Sequence, residues 1–250
     1  MNAAFIIARR EIFSFFVSPI AYVVITAWLL WSGAVFWMLM SFVAGQGVAQ
    51  AASQTPITLI FGGTTLFYIP LLVFVPIVTM RLVAEERRTG TIELLLTAPV
   101  RDVEVVLGKY LAALVFWFAM WLPTLMYVWL ISRYGDVDLG AVGSTYLGVF
   151  GIGLYYMAVG VLMSSLSRNQ IVSAILTFLT LGALFMFGVL EFVFADSEYK
   201  EVFSYASIWG HMEAFSKGLV DTRFLVFDVT IAIVALYFAV RAVASRRGAQ

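Results

Sequence analysis

Cysteine is absent from this chain and histidine occurs once, at position 211. Without cysteine there is no disulfide, no thiolate zinc or iron–sulfur site and no thiol nucleophile. A single histidine removes the H-E-x-x-H pattern and other multi-histidine metal sites. Lysine is nearly missing too, with Lys109, Lys200 and Lys217 alone. None completes a phosphate-cradling G-x-x-x-x-G-K-[ST] loop, because Tyr110 follows Gly108-Lys109 and Val103 stands where the first glycine belongs. G-x-S-x-G is absent as well. The chain therefore carries no nucleotide-binding or catalytic motif, and no metal or cofactor is expected in it. Charge is the last scarcity: 12% of 250 residues, where a soluble domain has about 25%. Fifteen basic and fifteen acidic residues cancel to zero, so no bulk charge draws the chain to nucleic acid.

What replaces the charge is apolar: 62% of residues are hydrophobic, and mean hydropathy is +0.98. A helix needs about 20 apolar residues to cross about 30 Å of hydrocarbon. Six runs meet or approach that length: 20–43, 57–80, 110–131, 146–166, 171–190 and 224–240. Pro70 and Pro76 fall in the second, and Pro123 should bend the third. The expectation is an all-α polytopic membrane protein with six transmembrane helices, one domain over 1–250, and no room for a soluble one.

Sorted by side, the charges are polarised. With both termini cytoplasmic, eleven basic residues lie inside, among them Arg9, Arg10, Arg87, Arg88 and Arg101. Four lie outside: Arg133, Lys200, Lys217 and Arg223. That asymmetry is the positive-inside signature. Residues 3–17 read as an amphipathic helix on the inner leaflet, with Phe5, Ile6, Ile12, Phe13 and Phe16 toward lipid and Arg9 and Arg10 toward headgroups. Pro19 then opens the first span.

The densest charge lies between the second and third spans, over 81–109, where ten of the thirty charges gather. Within it Gly90 breaks the incoming helix, Thr91 caps a new one, and Glu93 occupies the first turn, where a carboxylate suits the helix dipole. Ile92, Leu95 and Leu96 share one face, and Pro99 ends the element. Two turns of helix with an apolar face, held between charged flanks, need a cover: the leaflet or a partner protein. A second such stretch, 191–223, mixes acids with aromatics and reads as a short amphipathic or re-entrant piece, with an ordinary aromatic-rich loop as the alternative. His211 in it reads as an interfacial residue.

Ion-coupled carriers place titratable groups inside the membrane. Here Glu191 and Asp228 sit only at the outer margin, and no charge lies mid-bilayer. Gly148, Gly151, Gly153 and Gly160 in the fourth run suit either close packing within one chain or self-association.

The run Glu85-Glu86-Arg87-Arg88-Thr89-Gly90-Thr91-Ile92-Glu93-Leu94-Leu95-Leu96-Thr97-Ala98-Pro99, followed by Gly108-Lys109, resembles the first cytoplasmic loop of ABC-2-type transporter permeases. The likeness is closest to six-span permeases of the gliding-motility-associated type, with the nitrous-oxide-reductase maturation permease nearby. The stretches 10–19 and 215–221 are similar to that group too, so the resemblance spans nearly the whole chain. It implies permeases that pair, as homodimer or heterodimer, and a separate ABC ATP-binding subunit that holds ATP and Mg. It also implies a short cytoplasmic coupling helix at 91–97 seated in that subunit. The coupling surface then comprises Glu86, Arg88, Gly90, Thr91, Ile92, Glu93, Leu95, Leu96, Pro99 and Arg101. The expected place is the inner membrane of a bacterium. The alternative is a membrane scaffold that docks a cytoplasmic partner through 81–109 and transports nothing. Nothing polar in the spans defines a substrate.

Overall fold

The computed structural model describes residues 3–45, 57–62, 65–89, 100–133, 135–194 and 200–247. Among the described residues 88% are helical and no strand occurs. Six helices are long and apolar enough to cross a membrane: Pro19–Ala44, Thr65–Thr89, Asp102–Ser132, Leu139–Leu166, Gln170–Glu191 and Thr222–Ser245. They fall in the order expected, with shifted ends where charge and helix part company.

Helix α1 (Ala3–Val17) bends at Ser18 into α2 (Pro19–Gly45), so Pro19 takes the first helical position, where its missing N–H costs nothing. The second span differs most from expectation. A π-helical turn (Thr58–Gly62) and a 3-10 turn (Thr65–Phe67) precede α3 (Leu71–Thr79), which starts directly after Pro70 because proline cannot donate to a preceding turn. The chain turns through 80–83 and resumes as α4 (Ala84–Thr89), so the helical rod carries charged residues past the apolar run. The third span likewise begins at Asp102, eight residues before the apolar run, because the Glu104 carboxylate accepts from the Arg101 N–H at 2.9 Å and caps it. Pro123 breaks this span as expected: a 3-10 turn (Leu122–Thr124) divides α5 (Asp102–Trp121) from α6 (Leu125–Ser132).

The fourth span, α7 (Leu139–Leu166), is capped by Asp138, and the fifth, α8 (Gln170–Val193), by Asn169. Two short helices follow, α9 (Lys200–Ala206) and α10 (Ile208–Ser216), then the last span, α11 (Thr222–Arg247). Gly218, at φ +82°, turns the chain out of α10, a conformation that glycine adopts without a Cβ penalty.

Span four is the centre: 72% of its apolar window is buried, against 28%, 28% and 22% for spans one, five and six. Its glycines explain how four neighbours fit around it. A Cβ at Gly148 would stand 2.7 Å from the Phe215 ring of α10, and one at Gly151 would stand 2.5 Å from Asp228 Oδ2 of α11. Gly153 faces the Trp117 indole of α5, and Gly160 faces Thr79 of α3. Of the two readings of this glycine stripe, packing within the chain accounts for all four. The 191–223 stretch is not a simple loop, since α10 buries Ile208, Met212 and Phe215 against the bundle. His211 is fully buried with them, which corrects its reading as an interfacial residue.

Candidate coupling site

Gly108-Lys109 marks where α1 meets α5. A Cβ at position 108 would lie 2.8 Å from the Ala4 carbonyl and from Ile7, so the glycine lets the two helices touch. On α5, Lys109 occupies the buried stripe with Val105, Val106, Ala112 and Ala113; on α1, Glu11 lies between Ile7, Ala8 and Phe15 on the buried side. Each charge would be prohibitive there alone. Together they satisfy one another: Lys109 Nζ, 1% exposed, lies 3.1 Å from Glu11 Oε1 and 2.9 Å from Glu86 Oε1 of α4. Arg10 closes the ring at 2.7 Å from Glu11 and 3.0 Å from Glu86.

The knot is electrostatically tuned. Burial works against ionising Glu11, but the Lys109 charge and hydrogen bonds from Arg10 and Lys109 outweigh it and hold its carboxyl below the usual range. The Arg10 guanidinium, hydrogen-bonded to Glu11 and close to Glu86, is held above its ordinary value despite partial burial. Beside the knot opens a cleft of about 440 Å³, lined by Arg10, Arg81 and Lys109 and by Glu11, Glu85 and Glu86. Arg81 itself reaches back to Ser18 Oγ at 3.1 Å and stacks 4.9 Å over the Phe15 ring, a second tie from span two to α1.

The turn between α3 and α4 is held from the other side by span four. Ser164 Oγ accepts from the N–H groups of Val83 (3.0 Å) and Ala84 (3.1 Å) and donates to the Met80 carbonyl (3.1 Å). One buried hydroxyl thus satisfies three backbone groups that the break would orphan. Arg87 then reaches the carbonyls of Ser167 and Ala242, both at 3.4 Å, at the ends of spans four and six. Helix α4 is thus tied to α1, α5, α7 and α11, with Arg88 and Thr89 left exposed.

The residues expected to form a coupling surface separate into three groups. Glu86 turns inward and is bound by Arg10 and Lys109. Arg10 correspondingly reaches Glu86 while its side chain stays 55% exposed, and Ile12 and Phe16 are half-buried, while Phe5, Ile6 and Phe13 stay exposed as expected. Arg88 and Arg101 are exposed, one on each side of 90–99. Gly90, Thr91, Ile92, Glu93, Leu95, Leu96 and Pro99 lie outside the described residues. Sequence reasoning passed over Lys109, Glu11, Arg87 and Ser164. Lys109 carried a signal, a charge with Val105, Val106, Ala112 and Ala113 at i±3 and i±4; Glu11 did not, because Ser14 stands at its i+3 and Arg9, between Phe5, Ile6, Ile12 and Phe13, fits that pattern better.

A family model described as ABC-2 family transporter protein matches residues 49–216, two thirds of the chain and the whole of the break and loop just described. The chain belongs to the ABC-2 family of transporter proteins. No curated protein matches it. As an ABC-2 protein it is the permease of an ABC-type transporter, a membrane transport component and not itself a catalyst. ABC-2 permeases normally work with an ABC ATP-binding subunit.

Proposed function

We propose that this ABC-2 permease is the membrane subunit of an exporter driven by ATP, with ATP and Mg held by a separate ATP-binding subunit that docks on 90–101. Ile92, Leu95 and Leu96 supply the apolar contact, and Glu93, Arg88 and Arg101 the charged rim around it. Gly90 and Pro99 delimit the coupling helix. The permease pairs with a second permease subunit, identical or homologous, in the inner membrane of a bacterium, with both termini cytoplasmic. The observation that supports the reading is the Lys109 knot. It joins the residues before 90–99 (Glu86) and after it (Lys109) to each other and to α1, at salt-bridge distances and with little solvent. A push delivered through the docked segment then reaches the ends of spans two and three together, because the knot ties those ends to each other and to α1. The turn at 80–83 and the breaks at Pro70 and Pro123 are where those spans can flex.

The test is co-expression with the cognate ATP-binding subunit, purification in lipid, and measurement of ATPase activity with and without the permease. Glu93→Arg and Leu95→Glu should each cut permease-dependent stimulation about tenfold or more, since each removes about 1.4 kcal/mol or more of docking. Unchanged stimulation and co-purification in both variants would sink the assignment. A stable complex whose ATPase rate never responds to the permease would favour a scaffold.

A further inference from the structure

At the end of the bundle opposite the coupling site, a second polar cluster lies in the core. His211 of α10 and Asp228 of α11 are each 1% exposed, with Nδ1 3.4 Å from Oδ1. The other ring nitrogen, Nε2, is 3.0 Å from the Tyr205 carbonyl at the end of α9. A carbonyl only accepts, so Nε2 carries a proton, and Nδ1 is the nitrogen left to face the carboxylate. If the pair held no further proton, an imidazole lone pair would point at a carboxylate oxygen in a site without water access. Both groups are electron-rich, and neither Nδ1 nor either carboxylate oxygen has a hydrogen-bond partner, the 3.4 Å contact between them included. With one proton on the Nδ1–Oδ1 axis, the same geometry becomes attractive, whichever atom holds it.

The surroundings are built for this pair. The rings of Phe224 and Phe227 lie 4.3 and 5.7 Å from the imidazole centre, and aromatic faces favour a cation. Asp228 Oδ2 fits against span four because position 151 is glycine. The other titratable groups facing the pair are Tyr155 and Tyr156 of span four, within electrostatic reach of Asp228. Glu191, at the end of α8, approaches α10 at Gly210. Among the described residues no lysine or arginine forms an ion pair with Asp228.

We propose that His211 and Asp228 form a buried proton-binding site whose single shared proton latches α10 onto spans four and six. The ligand is a proton drawn from the medium on the α10 side. Its loss turns attraction into repulsion and leaves α10 held by the Ser144–Phe215 hydrogen bond (2.6 Å) and by apolar contact. Acid then favours the seated helix and alkali its release, so the permease senses pH at the end remote from its coupling site. The site goes beyond the function proposed above and does not depend on it.

The test uses the full chain alone in neutral-lipid nanodiscs, read by hydrogen–deuterium exchange of 203–216, with rates corrected for their intrinsic pH dependence. Protection of α10 relative to α5 should fall about tenfold or more from acid to alkaline pH. Asp228→Asn keeps a donor for Nδ1 but cannot titrate, and it should hold α10 with a flat pH profile. His211→Gln should flatten the profile too. A flat wild-type profile overturns the latch and requires no variant. So does a wild-type pH response that persists in Asp228→Asn.

Discussion

Replacing Lys109 by methionine tests the knot most directly. Methionine matches the length of the lysine stem and keeps its packing between α1 and α5, so the change isolates the ammonium. Removing one partner of a buried ion pair costs about 3–5 kcal/mol, because a carboxylate is left desolvated and uncompensated. Two features reduce that here. Arg10 remains 2.7 and 3.0 Å from the same two carboxylates, and Glu11 and Glu86 keep 15% and 17% of their side-chain surface. One cation then serves two carboxylates that meet some water, so about half the full penalty, ~2 kcal/mol, is expected. For a chain of this size 1 kcal/mol shifts the melting temperature by about 2–4 °C, which gives a drop of about 4–8 °C in Lys109→Met. Thermal unfolding in nanodiscs, followed by intrinsic tryptophan fluorescence, measures it. The triple variant Glu11→Gln, Glu86→Gln, Lys109→Met removes the orphaned charges along with the lysine and should recover most of the loss. If the single variant melts with the wild type, or the triple variant melts no higher than the single, the knot is not held by charge.

The Glu11 carboxyl gives the same knot a pH signature. A carboxyl held below its ordinary value adds stability that is complete above the unfolded value and is lost as pH falls through the folded one. Melting temperature should therefore drop more steeply between pH 5 and pH 3 in the wild type than in Glu11→Gln, and parallel curves would count against it. Gly153→Ala places a methyl against the Trp117 indole, whose N–H donates to the Val149 carbonyl at 3.2 Å. Overpacking of about 1–3 kcal/mol is expected, seen as a lower melting temperature, whereas Gly143→Ala, which faces open space on the same helix, should be silent.

The bundle was legible because lipid imposes a simple code: apolar length gives a span. Boundaries were legible only to within a few turns, because helix propagation does not stop where hydropathy does. Asp102 and Glu104 were read as loop charges, yet at a helix N-terminus they stabilise the first turn and move the start of span three outward. Tertiary pairing was harder to see. Glu11 and Lys109 are 98 residues apart, and nothing local links them; only the demand that a charge in an apolar stripe find a counter-charge would have joined them. The role of Ser164 went unread, since a hydroxyl gives no sequence sign that it closes a break eighty residues away. His211 and Asp228 were each placed at the membrane margin because hydropathy scores a helix by its average. Pairing across two helices hides both from that average.

Span four ties these parts into one mechanical object. At its coupling end, Ser164 holds the turn at 80–83 and Gly160 receives Thr79. Midway, the Leu154 carbonyl accepts from Tyr110, and Gly153 seats Trp117. Beside them Gly151 receives Asp228, and toward the far end Gly148 receives Phe215 and Ser144 bonds the end of α10. Each of these contacts is a close approach or a buried hydrogen bond, so span four cannot shift past its neighbours by small continuous steps. Displacing the 80–83 turn must either carry span four along or break the Ser164 bonds, and a carried span four must move relative to α10 or take it along. Span four is therefore the element both ends share, and the one through which nucleotide on one side and a proton on the other would act on each other. Exchange at α10, measured with the ATP-binding subunit bound and then with nucleotide added, reads that coupling directly. A change at α10 that disappears in Ser164→Ala places the route through span four, and a change that survives the substitution places it elsewhere.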